Sequence, residues 1–146
     1  MDRLTPQQRS INMSKIRFSA TKPELKVRHW LWKHGYRYRL NVRGIPGKPD
    51  IVLRRYRTAI FVNGCFWHGH VKCKKSMLPK TNTTFWEEKI SRNIERDQQN
   101  HELLKKNGWF VIVIWECQLT SNTSENTMRY VEHMLNNNII NIYNTK

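Results

Sequence analysis

The chain has 146 residues, the length of one ordinary domain, and its 38% hydrophobic content suffices for a core without disulfide bonds. Its 26 lysines and arginines outnumber 11 acidic residues, giving a formal net charge of +15 that is spread along the chain. Such an excess favours a polyanionic partner, and a soluble basic protein without one is the alternative. No stretch predicts a membrane helix, a basic amphipathic helix or a signal peptide, so we expect a cytoplasmic protein without membrane contact.

The first half of the chain predicts two helices followed by strands. A capping-box spacing joins Thr21 to Glu24, and Gly35 is a natural helix stop. The elements expected here are a basic helix at about 5–17, a helix at 22–34, a half-buried strand at 36–40 (YRYRL), a loop at 44–49 (GIPGKP), and strands at 50–53 and 58–62 joined by a basic turn.

The second half predicts a long helix and one strongly apolar strand. A second capping-box spacing, from Thr84 to Glu87, precedes the helix. The expected elements are a helix at 84–107, a strand buried on both faces at 109–115 (WFVIVIW), a helix at 124–136, and a loosely held tail at 137–146. The order α-α-β-β-β-α-β-α predicts a single α/β domain, residues 1–146, with a mixed central sheet flanked by helices.

Residues 64–75, GCFWHGHVKCKK, concentrate metal-binding side chains. Cys65, His68, His70 and Cys73 offer thiolates and imidazoles at short spacing, and Cys117 follows the apolar strand. Since strand ends of one sheet can meet, a structural Zn²⁺ held by three cysteines and one histidine is the favoured interpretation. Plain burial of Cys65 and Cys117 is the alternative.

Three carboxylates are candidates for chemistry. Asp50 opens a strand after a glycine-rich loop and would suit Mg²⁺, or it is an ordinary turn residue. Glu24 either contributes to a site or only closes its capping box.

The third carboxylate, Asp97, lies on the apolar stripe of the long helix, which is formed by Trp86, Ile90, Ile94, Asp97, His101 and Leu104. It would orient His68 as a general base, or pair with Arg92 or Arg96.

Aromatic residues beside lysines suggest contact with nucleic acid bases. Phe66 and Trp67 lie in a glycine-flanked polar loop, and Trp86 begins the long helix. They suit stacking on bases or insertion between them, while packing over the sheet is the alternative. Met13, on the basic N-terminal helix, suits a similar wedge.

Seven segments together resemble one protein family. They are RSINMSKIR, TKPELKVR, GYRYRL, PGKPDIVL, AIFVNGCFWHGH, FWEEKISRNIERD and GWFVIVIWECQL, spread over residues 5–119. In this order they resemble the bacterial very-short-patch-repair (Vsr) endonucleases. The resemblance implies a restriction-endonuclease-like fold and a Mg²⁺-dependent enzyme that nicks double-stranded DNA 5′ of the T in T·G mismatches. These mismatches arise by deamination of 5-methylcytosine, so a cytosine methyltransferase and repair proteins are implied companions. A monomer suits such a single-strand nick.

The resemblance also implies residue roles. It makes Asp50 the Mg²⁺-binding aspartate with the Val62 carbonyl, His68 the active-site histidine paired with Asp97, and Glu24 an acidic neighbour. The implied zinc ligands are Cys65, His70, Cys73 and Cys117, and the implied DNA-entering residues are Phe66, Trp67, Trp86 and, from the opposite groove, Met13.

The chain departs from the family at position 63, where Asn63 replaces a histidine. An amide cannot act as a general base, so any part of Asn63 in proton transfer or phosphate binding differs. The His70–Cys73 spacing is also one residue longer than in some members. The alternative function is a zinc-stabilised module that binds mismatched DNA without nuclease activity, in which Asn63 marks a decayed site.

Overall fold

The computed structural model describes residues 20–144, and this part of the chain contains three α-helices and three strands. In chain order they are α1 (Lys22–Lys33), β1 (Ile51–Leu53), β2 (Thr58–Asn63), α2 (Thr83–Lys106), β3 (Phe110–Trp115) and α3 (Ser124–Asn144). Short 3₁₀ turns lie at Arg54–Tyr56, Lys74–Ser76 and Glu116–Gln118. The predicted helix at 5–17 and its Met13 lie outside the described residues.

The three strands form one sheet in the order β1-β2-β3. β1 runs antiparallel to β2, with Ile51 opposite Ile60, and β2 runs parallel to β3, with Ile60 opposite Ile112. The prediction of a mixed sheet flanked by helices is confirmed. Because of these directions, the start of β1 and the ends of β2 and β3 share one edge of the sheet, here called the Asp50 edge.

Helices cover both faces of the sheet. α1 and α3 pack on one face against the isoleucines and leucines of all three strands, and the buried side chains there include Val27, Leu31, Ile51, Leu53, Ile60, Ile112, Ile114, Met128, Val131 and Leu135. α2 covers the other face through Leu104, which packs with Ala59 and Phe61. Burial of each large apolar side chain contributes about 1.5–3 kcal/mol, so these layers fix the position of the Asp50 edge.

The strand predicted at 36–40 is wrong. The Tyr36 N–H donates to the Leu31 carbonyl at 2.9 Å and so closes the end of α1, while the Arg37 guanidinium lies over the Trp32 ring. Only Arg39 pairs with the sheet, through two 2.9 Å hydrogen bonds to Val52. This segment therefore ends α1 and pairs with β1 at one residue, and it does not form a strand.

Three further expectations are corrected at element ends. The last helix continues to Asn144 instead of 136, because tertiary contacts such as the 3.1 Å bond from Asn138 Nδ2 to Thr58 Oγ1 hold its asparagine-rich end. The capping box at Thr84–Glu87 is absent, since α2 begins at Thr83 after Asn82 in a left-handed conformation. β3 is buried at Ile112 and Ile114 but only half-buried at its other positions.

No helix within residues 20–144 carries an apolar stretch long enough to cross a bilayer.

Candidate active site and metal centre

The Asp50 edge opens into a cavity of about 460 Å³ that collects the predicted catalytic side chains. Asp50, Val62, Asn63, His68 and Asp97 all line it. Asp50 precedes β1, the next two end β2, and the last two come from the following loop and from α2. Residues far apart in the sequence therefore face one space large enough for a phosphodiester group.

Asp50 is held in an environment that disfavours its charge. Its Oδ2 accepts a 2.7 Å hydrogen bond from the Val62 N–H. Burial, together with the nearby Glu24 carboxyl, raises the pKa of Asp50 to about 7, against the lowering effects of that N–H and of His68. A divalent cation would stabilise the ionised form of such a carboxylate, so Asp50 fits a Mg²⁺ ligand.

His68 and Asp97 form a close pair. His68 Nδ1 lies 2.6 Å from Asp97 Oδ2, and the two side chains are 27% and 21% exposed. Within the described chain, Asp97 forms no ion pair with Arg92 or Arg96, so the predicted histidine partner is the one observed. A carboxylate on Nδ1 leaves Nε2 of the imidazole available for proton transfer.

Gly69 explains how the loop brings His68 to α2. It has a φ of +62°, and a Cβ there would lie 2.6 Å from Ile94 Cδ1 and 2.8 Å from Ile90 Cγ2. The loop backbone therefore rests directly on the apolar stripe of α2, one turn before Asp97. Only glycine combines this conformation with such a close approach.

Glu24 is buried, with 3% of its surface exposed, beside Asp50. Half of the predicted capping box exists, since the Glu24 N–H donates to Thr21 Oγ1 at 3.4 Å. The Glu24 carboxylate instead accepts from the Ala20 N–H at 2.9 Å and from the Arg28 guanidinium. It therefore both closes the start of α1 and contributes negative charge next to Asp50.

The predicted zinc ligands are brought together at the same edge. One ligand atom from each of Cys65, His70, Cys73 and Cys117 lies within 4.8 Å of the others, and Cys117 Sγ lies 3.4 Å from His70 Nδ1. The His70 ring stacks on Trp115 at a centroid distance of 4.2 Å. Three thiols and an imidazole at this separation fit tetrahedral Zn²⁺.

The three thiols differ in acidity. Burial raises the pKa of Cys65 to about 12 and also raises that of Cys117. Burial opposes ionisation of Cys73 too, but the N–H groups of Lys75 and Ser76 and the adjacent thiols outweigh it and lower its pKa. Metal binding must therefore displace protons from at least two of the thiols.

The aromatic residues form one cluster next to the cavity. Phe66, Trp67 and Trp86 have ring centroids 5.2 to 5.8 Å apart, and Phe85 lies 5.2 Å from Trp86 with 54% of its surface exposed. Asn93 Nδ2 donates to the Trp67 carbonyl at 2.9 Å. The rings of Phe66, Trp67 and Trp86 are half-buried against one another, so they pack together while part of each ring stays accessible to solvent.

Sequence reasoning did not assign three further residues to the cavity, and it considered Arg96 only as an alternative partner of Asp97. Lys48, Arg96 and Asn100 line the cavity together with the carboxylates of Asp50 and Asp97. Lys48 precedes Asp50 by two positions, and Arg96 is adjacent to Asp97, so their neighbours in the sequence were the available signal. Cations, carboxylates and a histidine around one cavity are compatible with hydrolysis of a phosphate ester.

Comparison with known proteins identifies the family. The profile of the DNA mismatch endonuclease Vsr family matches residues 1–75. The chain is 52% identical over 118 residues to "Type II nicking enzyme V.NmeAIP" of Neisseria meningitidis, covering 81% of the chain and 84% of that protein. It is 41% identical over 111 residues to "DNA mismatch endonuclease Vsr" of Escherichia coli K12, covering 76% of the chain and 70% of that protein.

A third relative, "Type II nicking enzyme V.XorIIP" of Xanthomonas oryzae, is 44% identical over 119 residues, which cover 82% of the chain and 87% of that protein. The chain therefore belongs to the Vsr family of DNA mismatch endonucleases. Its enzyme class is that of the endodeoxyribonucleases.

Proposed function

We propose that this protein is a Mg²⁺-dependent endonuclease that nicks duplex DNA on the 5′ side of the T in T·G mismatches. The observation that carries the proposal is the His68–Asp97 pair, 2.6 Å long, facing the same cavity as Asp50. Such mismatches follow deamination of 5-methylcytosine, so a cytosine methyltransferase would create the sites at which the protein acts.

The residues divide the proposed chemistry among themselves. Asp50 and the Val62 carbonyl would hold Mg²⁺, which would polarise the scissile phosphate and stabilise the leaving oxygen. His68 accepts a proton from the attacking water through Nε2, and Asp97 holds the ring and stabilises the imidazolium that forms. Asn63, 5% exposed at the end of β2, supplies amide hydrogen bonds where no proton is exchanged.

Glu24 has a supporting part in this proposal. Its carboxylate is fixed by the Ala20 N–H and by Arg28, beside the carboxyl of Asp50. A second negative charge there raises the pKa of Asp50, and it also adds to the local attraction for a divalent cation. Glu24 would therefore tune Mg²⁺ binding from outside the coordination sphere.

A structural Zn²⁺ on Cys65, His70, Cys73 and Cys117 would brace the loop that carries His68 and the aromatic cluster. The close approach of the four side chains supports this assignment. Phe66 and Trp67 leave from the same loop, so a rigid loop lets these rings enter the DNA next to the mismatch without collapsing. Unstacking a base step costs a few kcal/mol, and a mismatch lowers that cost.

Trp86, from the start of α2, would enter the DNA together with Phe66 and Trp67, whose rings it contacts, and Met13 would act from the opposite groove. The proposed architecture is one restriction-endonuclease-like domain, residues 1–146, that works as a monomer in the cytoplasm. The parallel pairing of β2 with β3 and the position of Asp50 at the start of β1 support that fold.

A nicking assay tests the proposal. The labelled duplex carries one T·G mismatch at a methylation-type sequence, with a T·A duplex, EDTA and the Asp50→Ala protein as controls. We expect one nick 5′ of the mismatched T that requires both Mg²⁺ and Asp50. Binding to the mismatch without any nick, across several sequence contexts, would refute the nuclease and favour a DNA-binding module instead.

The role of the aromatic cluster has its own test. Trp67→Ala should reduce nicking of mismatched DNA about 5- to 150-fold, since loss of one base-stacking contact costs about 1–3 kcal/mol. Binding to fully paired DNA should change much less. Equal losses in both measurements would instead indicate that Trp67 serves only to pack the loop.

A further inference from the structure

Two basic side chains at the mouth of the cavity have no part in the chemistry proposed above. Lys48 and Arg96 line the cavity together with Asp50 and Asp97. Both side chains are exposed, and neither forms a hydrogen bond or an ion pair with another described residue. Cations that share a space with carboxylates yet do not pair with them remain available to an anionic ligand.

The fold brings the two backbone segments that carry these cations close to each other. Gly47, with a φ of +79°, lies so close to α2 that a Cβ there would be 2.9 Å from Asn100 Cβ. Asn100 and Arg96 are one helical turn apart and share a face of α2. The loop that carries Lys48 therefore lies against α2 one turn from Arg96, and both residues line the same cavity.

The backbone of Lys48 adds a second observation. Its φ is +49°, a left-handed conformation that favours glycine or asparagine over lysine. Strained residues of this kind cluster where a side chain serves a site. Lys48 adopts this conformation two positions before Asp50, so its charged side chain leaves the backbone next to the site.

We infer that Lys48 and Arg96 form a cationic pair that holds phosphate oxygens of the strand to be cut, next to the scissile bond. This inference rests on the proposed function and deepens it. The pair would fix the register of the DNA backbone, so that the scissile phosphate lies between Asp50 and His68. Arg96 can bind two oxygens through its planar guanidinium, whereas Lys48 supplies a point charge.

Single-turnover nicking of the mismatched duplex tests the pair with Lys48→Met and Arg96→Gln. Loss of one charge-assisted contact should lower the rate about 10- to 100-fold. Arg96→Lys should recover part of the rate. The matched controls are Arg55→Gln and Lys106→Met, which remove exposed cations at the opposite end of the sheet. They should stay within about twofold of the wild type.

Neutral methylphosphonate linkages, placed one at a time beside the scissile bond, locate the contact. At the phosphate that Arg96 holds, the neutral linkage and Arg96→Gln together should lower the nicking rate no more than either change alone. The inference would be overturned if the rate losses from the linkage and the variant multiplied at every phosphate, or if the Lys48 and Arg96 variants nicked as fast as the controls. If the wild-type protein does not nick at all, the proposed function fails instead. The duplex Kd of each variant with each methylphosphonate duplex then tests whether Lys48 and Arg96 contact the phosphates.

Discussion

Replacing Asp97 by Asn removes the charge behind His68 while preserving the shape of the side chain. The two groups are 2.6 Å apart, and each side chain is about a quarter exposed. A hydrogen bond to a charged group contributes about 1.5–3 kcal/mol, and partial exposure favours the lower part of that range. A loss of about 1.5–2 kcal/mol in stabilisation of the imidazolium lowers the rate of the chemical step about 10- to 30-fold.

Single-turnover nicking under saturating enzyme measures this step directly, and duplex Kd should change little. His68→Ala should cost about 10²- to 10⁴-fold, as expected for a general base. In the double variant, Asp97→Asn should cause no further loss, because it acts through the imidazole. Gln98→Ala, an exposed neighbour on α2, is the control. Losses that multiply in the double variant would refute the view that the two residues act as one unit.

Three other perturbations test the metal sites and position 63. Because the Asp50 pKa is raised above its unfolded value, the ionised carboxylate destabilises the metal-free fold above pH 7 and not near pH 4. Asp50→Asn should therefore raise the free energy of unfolding by about 1–2 kcal/mol at pH 8 and by much less at pH 5. Thermal unfolding in the presence of EDTA measures this difference. Zinc binding must deprotonate the Cys65 thiol, so chelator competition should show weaker zinc affinity at pH 6.5 than at pH 8. Cys65→Ala should abolish stoichiometric zinc binding. A zinc affinity that does not depend on pH would contradict thiolate ligands. Asn63→His should increase the nicking rate several-fold if a second imidazole assists catalysis, and an unchanged rate would remove position 63 from proton transfer.

The site could be predicted from the sequence largely where its members share one local pattern. The helical period of α2 placed Asp97 on the inward face, where it meets His68. The idea that strand ends share an edge anticipated the meeting of Cys117 with residues 65–73. The shared position of Lys48 and Arg96 in this cavity was missed because it depends on the contact of Gly47 with α2, which no local pattern encodes.

The fold shows the same division between local and tertiary information. Segments with a strong pattern, namely the helical period of α2 and the continuous apolar run of β3, were located within one or two residues. Residues 36–40 have strand-like alternation, but they lie against α1 and meet the sheet only at Arg39. The asparagines after 136 have low helix propensity, yet contacts with the body of the protein extend α3 through them. Tertiary contacts therefore decided the elements whose intrinsic preference is weak.

The parallel pairing of β2 with β3 has a consequence for biosynthesis. Three members of the cysteine–histidine cluster precede α2, whereas Cys117 follows β3, so the ribosome releases the last member only after the entire crossover has been made. An ion held by all four side chains would therefore be captured late, once β3 has paired with β2. Nascent chains that stall before β3 would lack both a strand of the sheet and the fourth member of the cluster.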